Sequence, residues 1–168
     1  MDTVATSVNA SGGILVGHDG SQPSSQAVRW AARLAARLNL PLHVVRSWAL
    51  SSAPRPSTWS RGYVPPLHDF EAAVLERLER DVAGLELPAA CEVTCHAVHG
   101  HPGRRLVESS QGAVMLVVGS RGIGGFRGLV TGSTANQVIG NAHCPVVVVP
   151  VHGDETEAPL DEADLSQA

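Results

Sequence analysis

Short apolar runs alternate with longer stretches of helical periodicity along this chain, and that alternation narrows the possible folds more than any other property. Five runs read as strands: "GILVGHD" at 13–19, "LPLHVVRSW" at 40–48, "CEVTCHAVHG" at 91–100, "AVMLVVG" at 113–119 and "CPVVVVP" at 144–150. After the first run, Ala27, Trp30, Ala31, Leu34, Ala35 and Leu38 recur at three- and four-residue steps, with Arg29, Arg33 and Arg37 on the other face, which is the pattern of an amphipathic helix. Phe70, Val74, Leu78, Val82 and Leu85 form a second stripe that stops near Pro88, Pro102 opens a short helix to about Gln111, and Gly132 to Gly140 reads as a last helix. The fourth strand run is continuously apolar, as expected where both faces are covered. Regular alternation joined by right-handed crossovers predicts an α/β fold, a doubly wound five-stranded parallel sheet sandwiched by helices.

A chain of 168 residues suits one domain better than two. Residues 1–11 are small and polar and read as a flexible leader, 12–150 as the domain, and 151–168, with six acids and no arginine, as an acidic, disordered tail. Four prolines at 49–66 mark a long loop. No apolar stretch approaches the roughly 20 residues of a membrane span, and the first fifteen residues lack a basic segment followed by an apolar one, so a cytoplasmic location is expected. Cys91, Cys95 and Cys144 contain no CxxC pair and read as small buried residues rather than a disulfide or zinc framework. All twelve basic residues are arginine, which excludes the P-loop lysine and any Schiff base. Outside the tail these arginines face ten acids, a scattered excess that argues against nucleic-acid binding.

Doubly wound sheets bind ligands at the carboxyl ends of strands where the winding reverses. Asp19 and the segment after Gly119 are therefore candidates on topology alone. That segment, "VVGSRGIGGFRGLVTGST" at 117–134, holds six of the chain's seventeen glycines. Glycines let the main chain approach a phosphate with no Cβ in the way, and the helix start near Gly132 supplies unpaired amides, so the combination predicts an anion site. A mobile surface loop is the plain alternative. Ser133 and Thr134 suit either a helix cap or a phosphate contact. Asp19 suits a turn or cap as well as a hydrogen bond to a ligand or water-mediated Mg²⁺ binding, and Arg121 and Arg127 either offset phosphate charge or face solvent.

Gly119, two residues, Gly122, nine residues, then Gly132 and Ser133 resembles the glycine pattern of the ATP-binding branch of the universal stress protein family. The resemblance runs over residues 12–150 and takes in "ILVGHDGS", "LHVV", "GHPG" and "CPVVVVP". It implies that Gly119, Ser120, Arg121, Gly122, Ile123 and Gly124 wrap ribose and phosphates beside Val118, and that Gly132, Ser133 and Thr134 hold the phosphate end. It further implies strand-two adenine contact at Val44 and strand-one contacts at Gly17 and Asp19. ATP with Mg²⁺ as a regulatory ligand, and a homodimer through Val146–Val149, complete what the family implies.

His96, His99 and His101 with Cys95 invite a metal reading, which the lack of a third and fourth ligand at zinc spacing sets aside. His18 beside Asp19 is read as no acid/base pair. Trp48, Trp59 and Tyr63 form either a lid over an adenine or local packing. Ser133 has no histidine nearby in sequence and no G-x-S-x-G elbow surrounds it, so a hydrolase is disfavoured. Rival functions are a slow ATPase or nucleotidyl-transfer enzyme on the same fold, and a nucleotide-free dimeric interaction module.

Overall fold

The computed structural model describes residues 3–121 and 131–151. Strands β1 (Ile14–Gly17), β2 (Leu42–Trp48), β3 (Val93–His99), β4 (Met115–Gly119) and β5 (Val146–Val149) alternate with helices α1 (Gln22–Leu38), α2 (Leu67–Ala83), α3 (Pro102–Ser109) and α4 (Ser133–Asn141). The strands form one all-parallel sheet in the order β3-β2-β1-β4-β5. The chain winds outward from β1 to β3, then crosses to β4 on the other side of β1. The winding therefore reverses between the carboxyl ends of β1 and β4.

Strand alternation sorts the side chains into two cores. Ile14, Val16, Val44 and Val117 face α1 and α2 with Ala27, Ala31, Leu78 and Val82. Leu15, Val45, Leu116 and Val118 face α3 and α4 with Leu106, Ala135 and Val138. Leu116 and Val117 are both completely buried, which explains the uninterrupted apolar run of β4. Cys91 and Cys95 pack against the first core and Cys144 against the second, all three as free thiols.

Helix α1 starts where its sequence places a cap. Ser21 Oγ accepts from the Ser24 amide at 3.3 Å, and Pro23 sits in the first turn where a missing N–H costs nothing. Ser21→Ala should lower stability by about 1 kcal/mol, read as a drop in the urea midpoint at unchanged m-value.

Residues 3–11 are not the flexible leader their composition implies. Val4 and Ala10 are buried, the Ala5 amide donates to Glu71 Oε1 at 2.7 Å, its carbonyl accepts from the His99 amide at 2.8 Å, and the Val8 amide donates to Ser109 Oγ at 3.0 Å. Val4 seats in a cluster of Trp48, Phe70, Val74 and Ala97 at the end of the edge strand β3. Two valines among small residues make no strand or helix stripe, so only their tertiary partners show why the segment is held. The acidic residues expected to form a disordered tail lie outside the described residues.

Candidate functional site

A cleft of about 1000 Å³ opens over the carboxyl ends of the strands. One wall belongs to β1 and the turn behind it, through Gly17, His18, Asp19 and Gly20, and the opposite wall to Val118, Gly119, Arg121 and the start of α4. It extends past β2 to α2, so it straddles the sheet edge rather than one face.

The residues expected from sequence to hold a phosphate are arranged as follows. Gly132 occupies the N-cap position of α4 without a side-chain cap, so Ser133 and Thr134 are the first helical residues and not its caps. Thr131 to Asn136 line the cleft, and the amides of the first helical turn carry the positive end of the helix dipole. Arg121 stands beside them, exposed. Gly119 has a packing reason for lacking a side chain: a Cβ there would sit 3.0 Å from the Pro23 carbonyl oxygen, so β4 ends directly against the first turn of α1. Ser120 does not line the cleft. It is buried, its amide donates to the Val149 carbonyl at 2.9 Å, its carbonyl accepts from the Gly132 amide at 2.7 Å and its hydroxyl accepts from the Val151 amide at 3.2 Å, which ties both ends of the glycine-rich segment to β5. Gly122, Ile123, Gly124 and Arg127 lie outside the described residues.

On the β1 side, Gly17 and Asp19 both line the cleft. Asp19 also makes the turn: its Oδ1 accepts from the Ser21 amide at 2.9 Å and from the Ser21 hydroxyl. At strand two, the residues after Val44 line the cleft. Val44 is fully buried in the core against α1 and α2, whereas Val45, Arg46, Ser47 and Trp48 line the cleft. Alternation of a parallel strand and the height of the cleft, at the very end of β2, put the later residues there.

A polar network that sequence reading did not assemble forms the floor on the α2 side. Arg46 donates to Asp81 Oδ2 at 2.9 Å and to His18 Nδ1, while Arg77 Nε donates to Asp81 Oδ1 at 3.1 Å. An arginine donor at Nδ1 makes that nitrogen the acceptor, so His18 Nε2 carries the proton and faces Ser25 Oγ at 3.1 Å. Burial first, and the adjacent Arg46 charge second, push the His18 pKa down to about 4. Burial works against the Asp81 carboxylate, but the hydrogen bonds from Arg46 and Arg77 outweigh it and hold its pKa below the ordinary value. The sequence held one signal for this network: Arg46 is the only charged residue in the β2 run, and a charge in a mostly buried strand requires a counter-charge nearby.

Trp48 belongs to the wall and is no lid: it is buried, tilted against His99 with ring centroids 4.7 Å apart, and its Nε1 has no hydrogen-bond partner. Neither Trp59 nor Tyr63 lines the cleft; the Arg55 guanidinium lies 4.4 Å above the Trp59 ring. Ser52, Ala53 and Pro54 cover this end instead. The three clustered histidines diverge, His96 to His43, His99 to Trp48 and His101 to the cleft. Among the described residues no helix is long and apolar enough to cross a membrane.

Comparison with known proteins agrees with this geometry. The profile of the universal stress protein family matches residues 12–150. Universal stress protein Rv2623 of Mycobacterium tuberculosis is 33% identical over 161 residues; the match takes in 92% of this chain but 52% of that relative, so the chain spans about half the length of the curated relatives it matches. Among solved structures, a universal stress protein in complex with cAMP superposes with a TM-score of 0.59 at 24% identity, covering 86% of this chain and all of that one (100%). A universal stress protein from Archaeoglobus fulgidus in complex with dAMP gives 0.53 at 19% identity, covering 83% and 98%. The sheet order, the cleft at its switch point and the match over 139 consecutive positions, 12–150, lead to one assignment: the chain belongs to the universal stress protein family.

Proposed function

We propose that this chain binds ATP with Mg²⁺ in the switch-point cleft and uses it as a regulatory ligand without turning it over. The observation that carries the reading is the start of α4, without a side-chain cap, whose first residues line a cleft of about 1000 Å³ beside Arg121. Relatives of the same fold hold cAMP and dAMP, which supports an adenine nucleotide as the ligand class. The glycine spacing from Gly119 to Ser133 supports the triphosphate, because a longer polyphosphate needs more main-chain donors than a monophosphate does.

Of the two carboxylates lining the cleft among the described residues, Asp81 is engaged by two arginines. Asp19 is the one whose position at the β1 end suits Mg²⁺ held through water. The ion would neutralise phosphate charge, while Arg121 and the α4 amides would orient the polyphosphate. Among the described residues of the cleft wall none pairs a nucleophile with a positioned histidine base, which favours binding over hydrolysis: His18, the buried imidazole, spends both nitrogens on Arg46 and Ser25. The protein is read as a cytoplasmic module, and β5, which among the described residues pairs with β4 alone, as the edge through which Val146–Val149 joins a second copy.

Thermal melts with and without Mg-ATP test the binding. At free ATP about 100 times the dissociation constant, stabilisation of about 2.7 kcal/mol is expected, a rise in Tm of several degrees for a domain of this size. A melt unmoved by millimolar Mg-ATP would make the protein a nucleotide-free interaction module. Release of ADP at rates typical of enzymes would make it an ATPase.

A further inference from the structure

His43 and His96 bring two imidazoles together on a part of the sheet the nucleotide reading does not use. They come from adjacent strands, two residues apart on the diagonal, since Val45 is the direct partner of His96. Both lie on the face that carries Val45 and Val98, where β-branched apolar residues fill the second core. Helix α3 packs over β1 and β2 on that face, and both imidazoles are half-buried. His96 also borders a second groove of about 610 Å³ beneath residues 5–9. Nothing in the cores calls for polar rings at these two positions.

The rings meet nitrogen to nitrogen, His43 Nδ1 to His96 Nε2 at 3.0 Å, with centroids 5.2 Å apart and planes inclined by 30°. Two imidazole nitrogens about 2.0–2.1 Å from one metal ion, at angles between square and tetrahedral, stand about 2.9–3.4 Å from each other. The nitrogens therefore stand at a chelate's bite distance, while centroids 5.2 Å apart put the rings nearly head-on, so each ring turns by about 25° for both lone pairs to converge on one ion.

We propose that His43 and His96 form an open two-histidine site for a nitrogen-seeking divalent transition-metal cation, of the class of Cu²⁺ and Zn²⁺. In the metal-free pair one ring donates its N–H to the other; on binding, that ring shifts its proton to its outer nitrogen, so both inner lone pairs reach the ion and no net proton is released. Among the described residues no third histidine, cysteine or carboxylate completes the set, so water fills the remaining positions. The Cys95 thiol does not join: it lies on the opposite face of β3 against the first core, and burial, then the nearby Glu79 charge, raise its pKa to about 11. Burial lowers the pKa of both imidazoles, with the charge of its neighbour adding to the effect on His96, which keeps them in the neutral form that metals require. Glu92, whose charge acts on His43, favours a cation there.

The experiment uses the full chain and the metals alone. Sub-stoichiometric Cu²⁺ followed by NMR of the ring protons should broaden His43 and His96 before any other of the eight histidines. Calorimetric titration with Zn²⁺ should weaken by about tenfold or more in His43→Asn and in His96→Gln, at least the cost of losing an outer-shell partner of a metal site. It should stay unchanged in His143→Asn, a change at an exposed residue elsewhere. Affinity should follow Cu²⁺ above Zn²⁺. Broadening that begins at other histidines, or Zn²⁺ binding by the two variants equal to that of the unmodified chain with folded circular dichroism, would reduce the pair to a hydrogen bond between side chains. Absence of Zn²⁺ binding by the unmodified chain would do the same. None of these readouts depends on nucleotide, so the site stands or falls apart from the cleft.

Discussion

On the proposed reading, Gly132→Glu is expected to give a folded protein that no longer binds Mg-ATP. Gly132 holds the N-cap of α4 with φ −72° and ψ 166°, an extended conformation open to any residue, so the substitution strains no backbone. A carboxylate at a helix start also interacts favourably with the dipole, by about 0.3–1 kcal/mol, so the fold tolerates it. What it removes is the reason for a polyphosphate to sit there. A like charge about 4 Å away at a protein surface costs about 4 kcal/mol, which is about a thousandfold in affinity. Calorimetric titration of the variant beside a thermal melt separates the two effects. A variant that melts like the parent and binds Mg-ATP as tightly would place the phosphate somewhere other than the α4 terminus.

A second large effect concerns acid stability and comes from His18. Its folded pKa of about 4 lies below the ordinary 6.5, because burial first and Arg46 second oppose a charge on the ring. Between these values the unfolded chain binds a proton that the folded chain does not, so stability falls as pH falls through this window and the loss is complete below about 4. At about 1.4 kcal/mol per pH unit, the gap amounts to about 3 kcal/mol. His18→Asn, which keeps a side-chain acceptor for Arg46 and has no proton to gain, should flatten the limb between pH 6.5 and pH 4 even if it lowers stability at neutral pH. Urea titrations of both proteins across this range test it. Parallel curves would mean that His18 takes up its proton inside the folded state at little cost.

Both predictions concern residues around one cleft, yet they were legible to very different degrees. The α4 terminus could be read in advance because its signal is local: glycines, a helix start and the end of a strand within a dozen residues, all positioned by backbone preferences. The His18–Arg46–Asp81–Arg77 network could not, since its members come from the end of β1, from β2 and from α2. Side-chain type announced that Arg46 needed a counter-charge, but which carboxylate answered depends on how α2 lies over β2. Val44 against Val45 shows the same boundary on a smaller scale: both are buried, on opposite faces, and only the packed helices say which of the two cores reaches the cleft at the strand end.

Hydrophobic periodicity determined the architecture by itself, because a strand buried on both faces and a helix with one apolar stripe have few ways to cover each other, and right-handed crossovers leave a doubly wound sheet. The glycine spacing together with "ILVGHDGS", "LHVV", "GHPG" and "CPVVVVP" in that order pointed to the family on which the functional reading rests. The tertiary structure alone decided that residues 3–11 are pinned against Trp48 and β3, that His43 meets His96, and that His18 lies beneath an arginine. These contacts join segments that are distant in the chain, and the free energy that selects them, burial of apolar area against loop entropy and the need to pair buried polar groups, depends on the whole packed core rather than on any local run of residues.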